Sequence, residues 1–278
     1  MTLTDSLYNY RFAFLITILL VSVLYGGIVS GMAVDWYQDE NYSHGFLVPL
    51  IAGYFVYERW DQLKTIQVIP SLVGLAVIII AFMQLILGTV GVEYFTLRSS
   101  LVVLIAGMVL FFLGTAVFKA TRLPILYLLF MIPLPYIIYD SMAFPLKQFV
   151  SWVSVGFMKL IGIAVIREGN IIMFPSITLE VADACSGIRS LISILALSVA
   201  YASFLQISNF KRWIIILSSV LIAIVTNAVR VIVTGILANH SGAAAAQGFF
   251  HEFAGMSVFA LAMAMLLVVG LLVRGKSS

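Results

Sequence analysis

Charge and sulfur are both scarce in this chain of 278 residues: 10% of positions are Asp, Glu, Lys or Arg, three are His, and only Cys185 is cysteine. A single thiol excludes an internal disulfide, and without a Cys/His cluster at ligand spacing no zinc site, other metal or cofactor is expected. A net charge of +3 with no run of Lys or Arg argues against nucleic acid as a partner and against a polybasic lipid tether. Internal repeats and low-complexity linkers are missing too, so a single polytopic membrane domain over residues 1–278 is the economical expectation.

Apolar surface fills the space that charge leaves. The chain is 63% hydrophobic with a mean hydropathy of +1.13, against the roughly 45–50% apolar content of soluble domains. This predicts an all-α polytopic membrane protein. A spanning helix needs roughly 20 apolar residues, and about eight runs qualify by that measure: 12–31, 42–57, 70–90, 98–118, 123–139, 186–207, 213–238 and 252–273. The first reads as a retained anchor rather than a signal peptide, because spanning runs recur to the C-terminus.

Lys- and Arg-bearing loops stay cytoplasmic. That rule puts Arg59 with Lys64, Lys119 with Arg122, Lys211 with Arg212, and Arg274 with Lys276 inside. It leaves Asp35, Asp39, Glu40, Glu93 and Asp140 outside, both termini cytoplasmic, and residues 141–185 as an extracytoplasmic interfacial segment and loop. Residues 141–166 carry Lys147, Lys159 and Trp152 among apolar positions, which suits an amphipathic or re-entrant segment, with a ninth span as the competing reading. "REGNIIMFPSITLEVADA" then alternates β-branched and polar residues around Pro175-Ser176, predicting a short β-hairpin-like loop directly before Cys185.

Three chemically active residues converge on one side under this topology. Cys185 opens the sixth run at the outer face. Arg230, 17 residues after Trp213, is carried roughly 26 Å across at about 1.5 Å per residue. His251 precedes the last inward run. An arginine within an apolar helix is costly, which makes Arg230 a functional candidate, with Asn227 on the same face to orient it. The structural alternative is an arginine that snorkels to the headgroups or pairs with Asp183 or Glu252.

For Cys185 the structural alternative is a small buried filler. Its context favours a nucleophile: Ser186-Gly187 suggests a helix start whose dipole stabilises a thiolate, and Arg189 adds a fixed positive charge one turn on. His251 can then deprotonate the thiol and reprotonate a leaving amine, with Glu252 as an orienting group. His44 and His240 reach the same side and remain rival bases. The chemistry implied is acyl transfer, in which Cys185 attacks a peptide carbonyl, Arg230 stabilises the oxyanion and a thioester forms.

"ACSGIRSL", "TNAVRV" and "HEFAG", in that order, with "YSHGFLVPLI" near the N-terminus, resemble the exosortase/archaeosortase family of polytopic membrane transpeptidases. The resemblance implies a Cys-Arg-His set at Cys185, Arg230 and His251, and the histidine is similar to the bacterial branch rather than the archaeal one. It implies as substrates secreted proteins with a C-terminal sorting signal, a short motif such as Pro-Glu-Pro followed by a transmembrane helix and a basic cluster. It further implies a cytoplasmic (inner) membrane enzyme whose site faces outward, within reach of membrane lipid and of a surface polysaccharide or lipid-linked acceptor. Two rivals stand beside it: a small transporter or channel in which Arg230 and His251 line a polar path, and a cysteine protease that releases its substrate to water.

Overall fold

The computed structural model describes the chain apart from Ser176, 182–186, Gln206, 243–248 and 276–278, and for Glu40, 187–189, Ser241 and 249–254 it describes the backbone alone. Among the described residues, five helices are long and apolar enough to cross a membrane: Arg11–Gln38, Val73–Val90, Tyr94–Met131, Asn209–His240 and Gly255–Arg274. Ser190–Phe204 is apolar but shorter. The chain's contacts divide it into two units, Met1–Pro135 and Tyr136–Ser278.

In the first unit, a short α1 (Leu3–Asn9) leads into the 28-residue α2 (Arg11–Gln38). Only Tyr25, Met32 and Trp36 of α2 are buried, so one narrow seam meets protein and the remaining apolar surface suits lipid. Hydrocarbon offers polar groups no partner, so each must find one within the protein. Along this seam Tyr25 Oη and Ser100 Oγ are 2.9 Å apart, Asp35 pairs with Arg98 at 2.6 Å, and Trp36 Nε1 donates to the Met131 carbonyl at 2.8 Å.

Where a second span is expected at 42–57, a 3₁₀ segment (Glu40–Phe46, 7 residues) runs into α3 (Leu47–Glu58, 12 residues). At about 2.0 and 1.5 Å per residue these extend roughly 14 and 18 Å, so together they match the thickness that α3 alone does not reach. A short α4 (Trp60–Leu63) and then α5 (Val73–Val90) follow.

The next two boundaries differ from expectation. α6 (Tyr94–Met108) continues through one π turn (Val109–Leu113) to Gly114, whose φ of +86° suits glycine alone, and α7 (Gly114–Tyr127) ends in a 3₁₀ turn (Leu128–Met131). Arg98 bonds Asp35 and Met131 bonds Trp36, so both ends of this stretch return to the same end of α2. The reversal therefore falls at Gly114 rather than at 119–122. Pro133 and Pro135 then stop the helix before 136–139, which belong to the following one. Arg59 Nη1 donates to the Ala120 carbonyl at 3.1 Å, so the basic turns gather at the end opposite Asp35 and Glu93.

The second unit opens with α8 (Tyr136–Leu160), which is long enough to span but is not among the five apolar helices. One face of it is buried through Val150, Ser151, Ser154, Val155 and Met158, while Phe149, Trp152 and Phe157 are exposed. A three-stranded antiparallel meander follows, β1 (Ile166–Glu168), β2 (Ile171–Met173) and β3 (Thr178–Glu180), in the order β1-β2-β3. The expected hairpin is β2–β3, closed by Phe174 N donating to Ile177 O at 2.8 Å, and the extra strand pairs through the turn at Gly169-Asn170. Three helices complete the unit: α9 (Gly187–Phe204), α10 (Asn209–Ser241) and α11 (Phe249–Arg274). Ile194 and Ala202 of α9, Ile215 and Ile222 of α10, and Ala262 and Leu266 of α11 form their common core. Lys211 Nζ donates to the Arg274 carbonyl at 3.4 Å, so α10 starts where α11 ends.

Candidate functional site

Arg230 lies 21 positions into α10 and Gly255 lies 19 positions back from the end of α11. At about 1.5 Å per residue both stand roughly 30 Å from the Lys211–Arg274 end. The side-chain geometry agrees: a Cβ built on Gly255 would sit 3.6 Å from Arg230 Nη2 and 3.8 Å from Cζ, so the half-buried guanidinium rests on the α11 backbone. Only a residue without a side chain leaves that groove fully open. His251 is one helical turn before Gly255 and Glu252 is next to it, so the structure brings Arg230 to the helix that carries both.

Asn227, one turn before Arg230, is 4% exposed, and with Thr226 and Thr234 it forms a buried polar line along α10. Thr226 Oγ1 donates to the Ile222 carbonyl at 2.8 Å, satisfying its own hydroxyl within the helix. Cys185 and Ser186 lie outside the described residues, and the described part of α9 begins at Gly187, with Arg189 in its first turn. The chain entering that region is anchored close by: Val181, four residues before Cys185, is 2% exposed and shares a core cluster with Ala228 and Val231, two positions before and one after Arg230.

His44 belongs to the first unit, where its Nε2 donates to the Phe130 carbonyl at 3.2 Å. His240 is exposed in the last turn of α10. Among the described residues no group of three or more His, Cys, Asp or Glu is placed to hold a metal ion.

Two polar anchors escape the sequence reading. Arg98, 8% exposed, carries the ion pair to Asp35 and stacks its guanidinium 5.3 Å from the Tyr94 ring centre. Arg98 in "TLRSSLVVLIAG" is, like Arg230, a charge in an apolar run. Arg167 binds several acceptors on α8, and nothing local in the sequence marks it.

The family model described as Transmembrane exosortase (Exosortase_EpsH) matches residues 36–268. That interval takes in His44, Cys185, Arg230 and His251. Neither the curated proteins nor the solved structures contain a match to the chain. With most of its length matched, its helices apolar and its Arg230 seated against the HEFAG helix, the chain belongs to the transmembrane exosortase family, multi-pass membrane cysteine peptidases and transpeptidases that act on secreted proteins with C-terminal sorting signals.

Proposed function

We propose that this chain cleaves the C-terminal sorting signal of secreted proteins through a Cys185 thioester and transfers the protein to a surface acceptor. The Cys185 thiolate adds to the carbonyl before the scissile bond, and Arg230 bonds the oxyanion that develops. As the C–N bond breaks, the leaving amine takes a proton from His251. The acceptor nucleophile then gives its proton to His251, attacks the thioester and releases the Cys185 thiolate. Arg189 at the start of α9 and the helix dipole favour the thiolate, Asn227 orients Arg230, and Glu252 orients His251. Ser186 and Gly187 open the helix behind the nucleophile.

The observation that carries this reading is the Arg230 guanidinium lying on Gly255, one turn from His251 on α11. The Val181–Ala228–Val231 cluster supports it by leading the chain toward Cys185 beside the same stretch of α10. With the Lys211–Arg274 end cytoplasmic, the site lies at the opposite, extracytoplasmic face of the inner membrane. There a substrate held by its own transmembrane helix presents a motif such as Pro-Glu-Pro at the depth of the thiol, and tethering raises its effective concentration. Membrane lipid surrounds the entry path, and a polysaccharide or lipid-linked acceptor approaches from outside.

The test is processing of a co-expressed secreted protein bearing such a signal, at matched membrane abundance of natural enzyme, Cys185→Ala, Arg230→Ala and His251→Ala. Loss of cleavage in the first two variants is expected, with a graded loss in the third. Full processing by Cys185→Ala would falsify the nucleophile assignment. A product bearing the acceptor, rather than a free carboxyl terminus, separates transfer from hydrolysis.

A further inference from the structure

The segment that delivers the nucleophile hangs from a clamp built on α8. Gly169 and Asn170 form a two-residue turn between the paired Glu168 and Ile171, with Gly169 at φ +62°, as a tight hairpin with glycine first requires. Arg167, in the middle of β1, aims its guanidinium at this turn. Its Nη1 lies 3.0 Å from the Gly169 carbonyl, 3.1 Å from Gln148 Oε1, 3.3 Å from the Gln148 carbonyl and 3.4 Å from Ser151 Oγ. Ser151, fully buried, donates to the same Gly169 carbonyl at 3.0 Å. One cationic nitrogen thus joins strand, turn and helix, and charge-assisted hydrogen bonds are the stronger kind.

The clamp reaches the site through the backbone. Asn170, next in the turn, accepts a bond on its carbonyl from Val181 N at 2.9 Å, and its side-chain amide donates to Glu180 Oε1 at 3.2 Å. Val181 is the last described residue before Cys185. Val165, Ile172 and Phe174 pack the meander onto Val150, Val155 and Met158 of α8, and the same cluster takes in Ala228 and Val231 beside Arg230.

We infer that Arg167 is a positioning residue for the nucleophile: by locking the Gly169-Asn170 turn to Gln148 and Ser151 it sets where Val181, and so the chain into Cys185, leaves the meander relative to Arg230. The inference rests on Cys185 as nucleophile. A guanidinium serves because its planar fork meets acceptors in several directions at once, whereas the ammonium of lysine is a flexible point charge.

Cys185 is the only cysteine, so thiol alkylation of the full chain in membranes reports on it alone. The experiment measures the pH profile of iodoacetamide alkylation, together with processing of a tethered substrate, for natural enzyme, Arg167→Ala, Arg167→Lys and Gln148→Ala at matched abundance. Arg167→Ala is expected to shift the alkylation profile and slow processing by about tenfold or more, since misplacing a reacting group by about 1 Å is enough for such a loss. Gln148→Ala, which keeps the backbone acceptor, is expected to give a smaller change in the same direction, and Arg167→Lys an incomplete rescue. Natural alkylation profiles in Arg167→Ala and Gln148→Ala overturn the inference even if either variant is less stable, because a role in stability alone leaves the thiol unchanged. Full rescue by lysine overturns it as well, reducing the residue to a charge. Should Arg167→Ala not accumulate, Gln148→Ala decides by the same profile. Processing by Cys185→Ala sinks the nucleophile assignment instead, while the alkylation profile continues to judge the clamp.

Discussion

Arg98 in the first unit and Arg230 in the second both interrupt apolar helices, and the neighbours described for them differ. In the first unit Arg98 meets a carboxylate, Asp35, at 2.6 Å and stacks on Tyr94. In the second, Arg230 rests on the backbone of Gly255, one turn from His251. A guanidinium joined to a carboxylate is committed to architecture, here tying α2 to α6. The Arg230 guanidinium instead approaches the α11 backbone at Gly255, beside a buried polar line on α10. The difference teaches that a charge in an apolar run marks cost, and its neighbour tells what the cost is for.

The largest expected effect tests that contrast at the site. Arg230→Ala should lower substrate processing about 100-fold or more, the scale of losing an oxyanion donor, with membrane abundance and detergent melting temperature near natural values. An equal loss from Arg98→Ala per folded molecule would erase the distinction.

Arg98→Ala should instead act on stability. It leaves the partly exposed Asp35 without its partner at a cost of about 2 kcal/mol, read as a lower melting temperature in detergent, and the double change Arg98→Ala with Asp35→Ala should recover part of it. Processing per folded molecule should stay close to natural.

Gly255 sharpens the other half. Gly255→Ala brings a methyl only to ordinary contact with Arg230, 3.6 Å from Nη2, and should be nearly neutral. Gly255→Val crowds the guanidinium and should slow processing about tenfold, through kcat rather than substrate capture.

The smallest effect lies at the Asp35 end, where the Glu93 carboxylate caps α6 by accepting from Thr96 N at 2.6 Å and Phe95 N at 3.1 Å. Hydrogen bonding to Thr96 is the main cause that holds this carboxyl below its usual range, with desolvation opposing it. Folding lowers the pKa, so the cap's stabilisation is full above the ordinary glutamate range and fades as pH falls through the lowered value. Glu93→Ala should cost about 1 kcal/mol at neutral pH and little in acid, measured by melting temperature against pH.

Much of this was legible from residues alone. Arg230, Cys185 and His251 stand out because a charge, a thiol and an imidazole are rare in so apolar a chain; the helix rise puts Arg230 and the HEFAG helix at one depth, as the approach of Arg230 to Gly255 does, while Cys185 lies outside the described residues. The amphipathic segment at 141–166 was legible from its Lys and Trp pattern, and β2–β3 from Pro175 between β-branched residues. The reversal at Gly114 was not, because a glycine in an apolar run is read as part of a helix until a positive φ shows otherwise. Arg167 was hidden for a related reason: its acceptors include the backbone carbonyls of Gln148 and Gly169, and carbonyls leave no mark in a sequence.

Membrane residence, helical class and the chemical repertoire follow from composition and periodicity, since apolar run length and the rarity of polar groups act residue by residue. Which neighbour each polar group receives depends on the packing of distant segments. Asp35 for Arg98, Gly255 for Arg230, and Gln148 with Ser151 for Arg167 are set by where helices and turns meet, because hydrogen bonds and ion pairs work over about 3 Å and only the folded chain brings such groups that close.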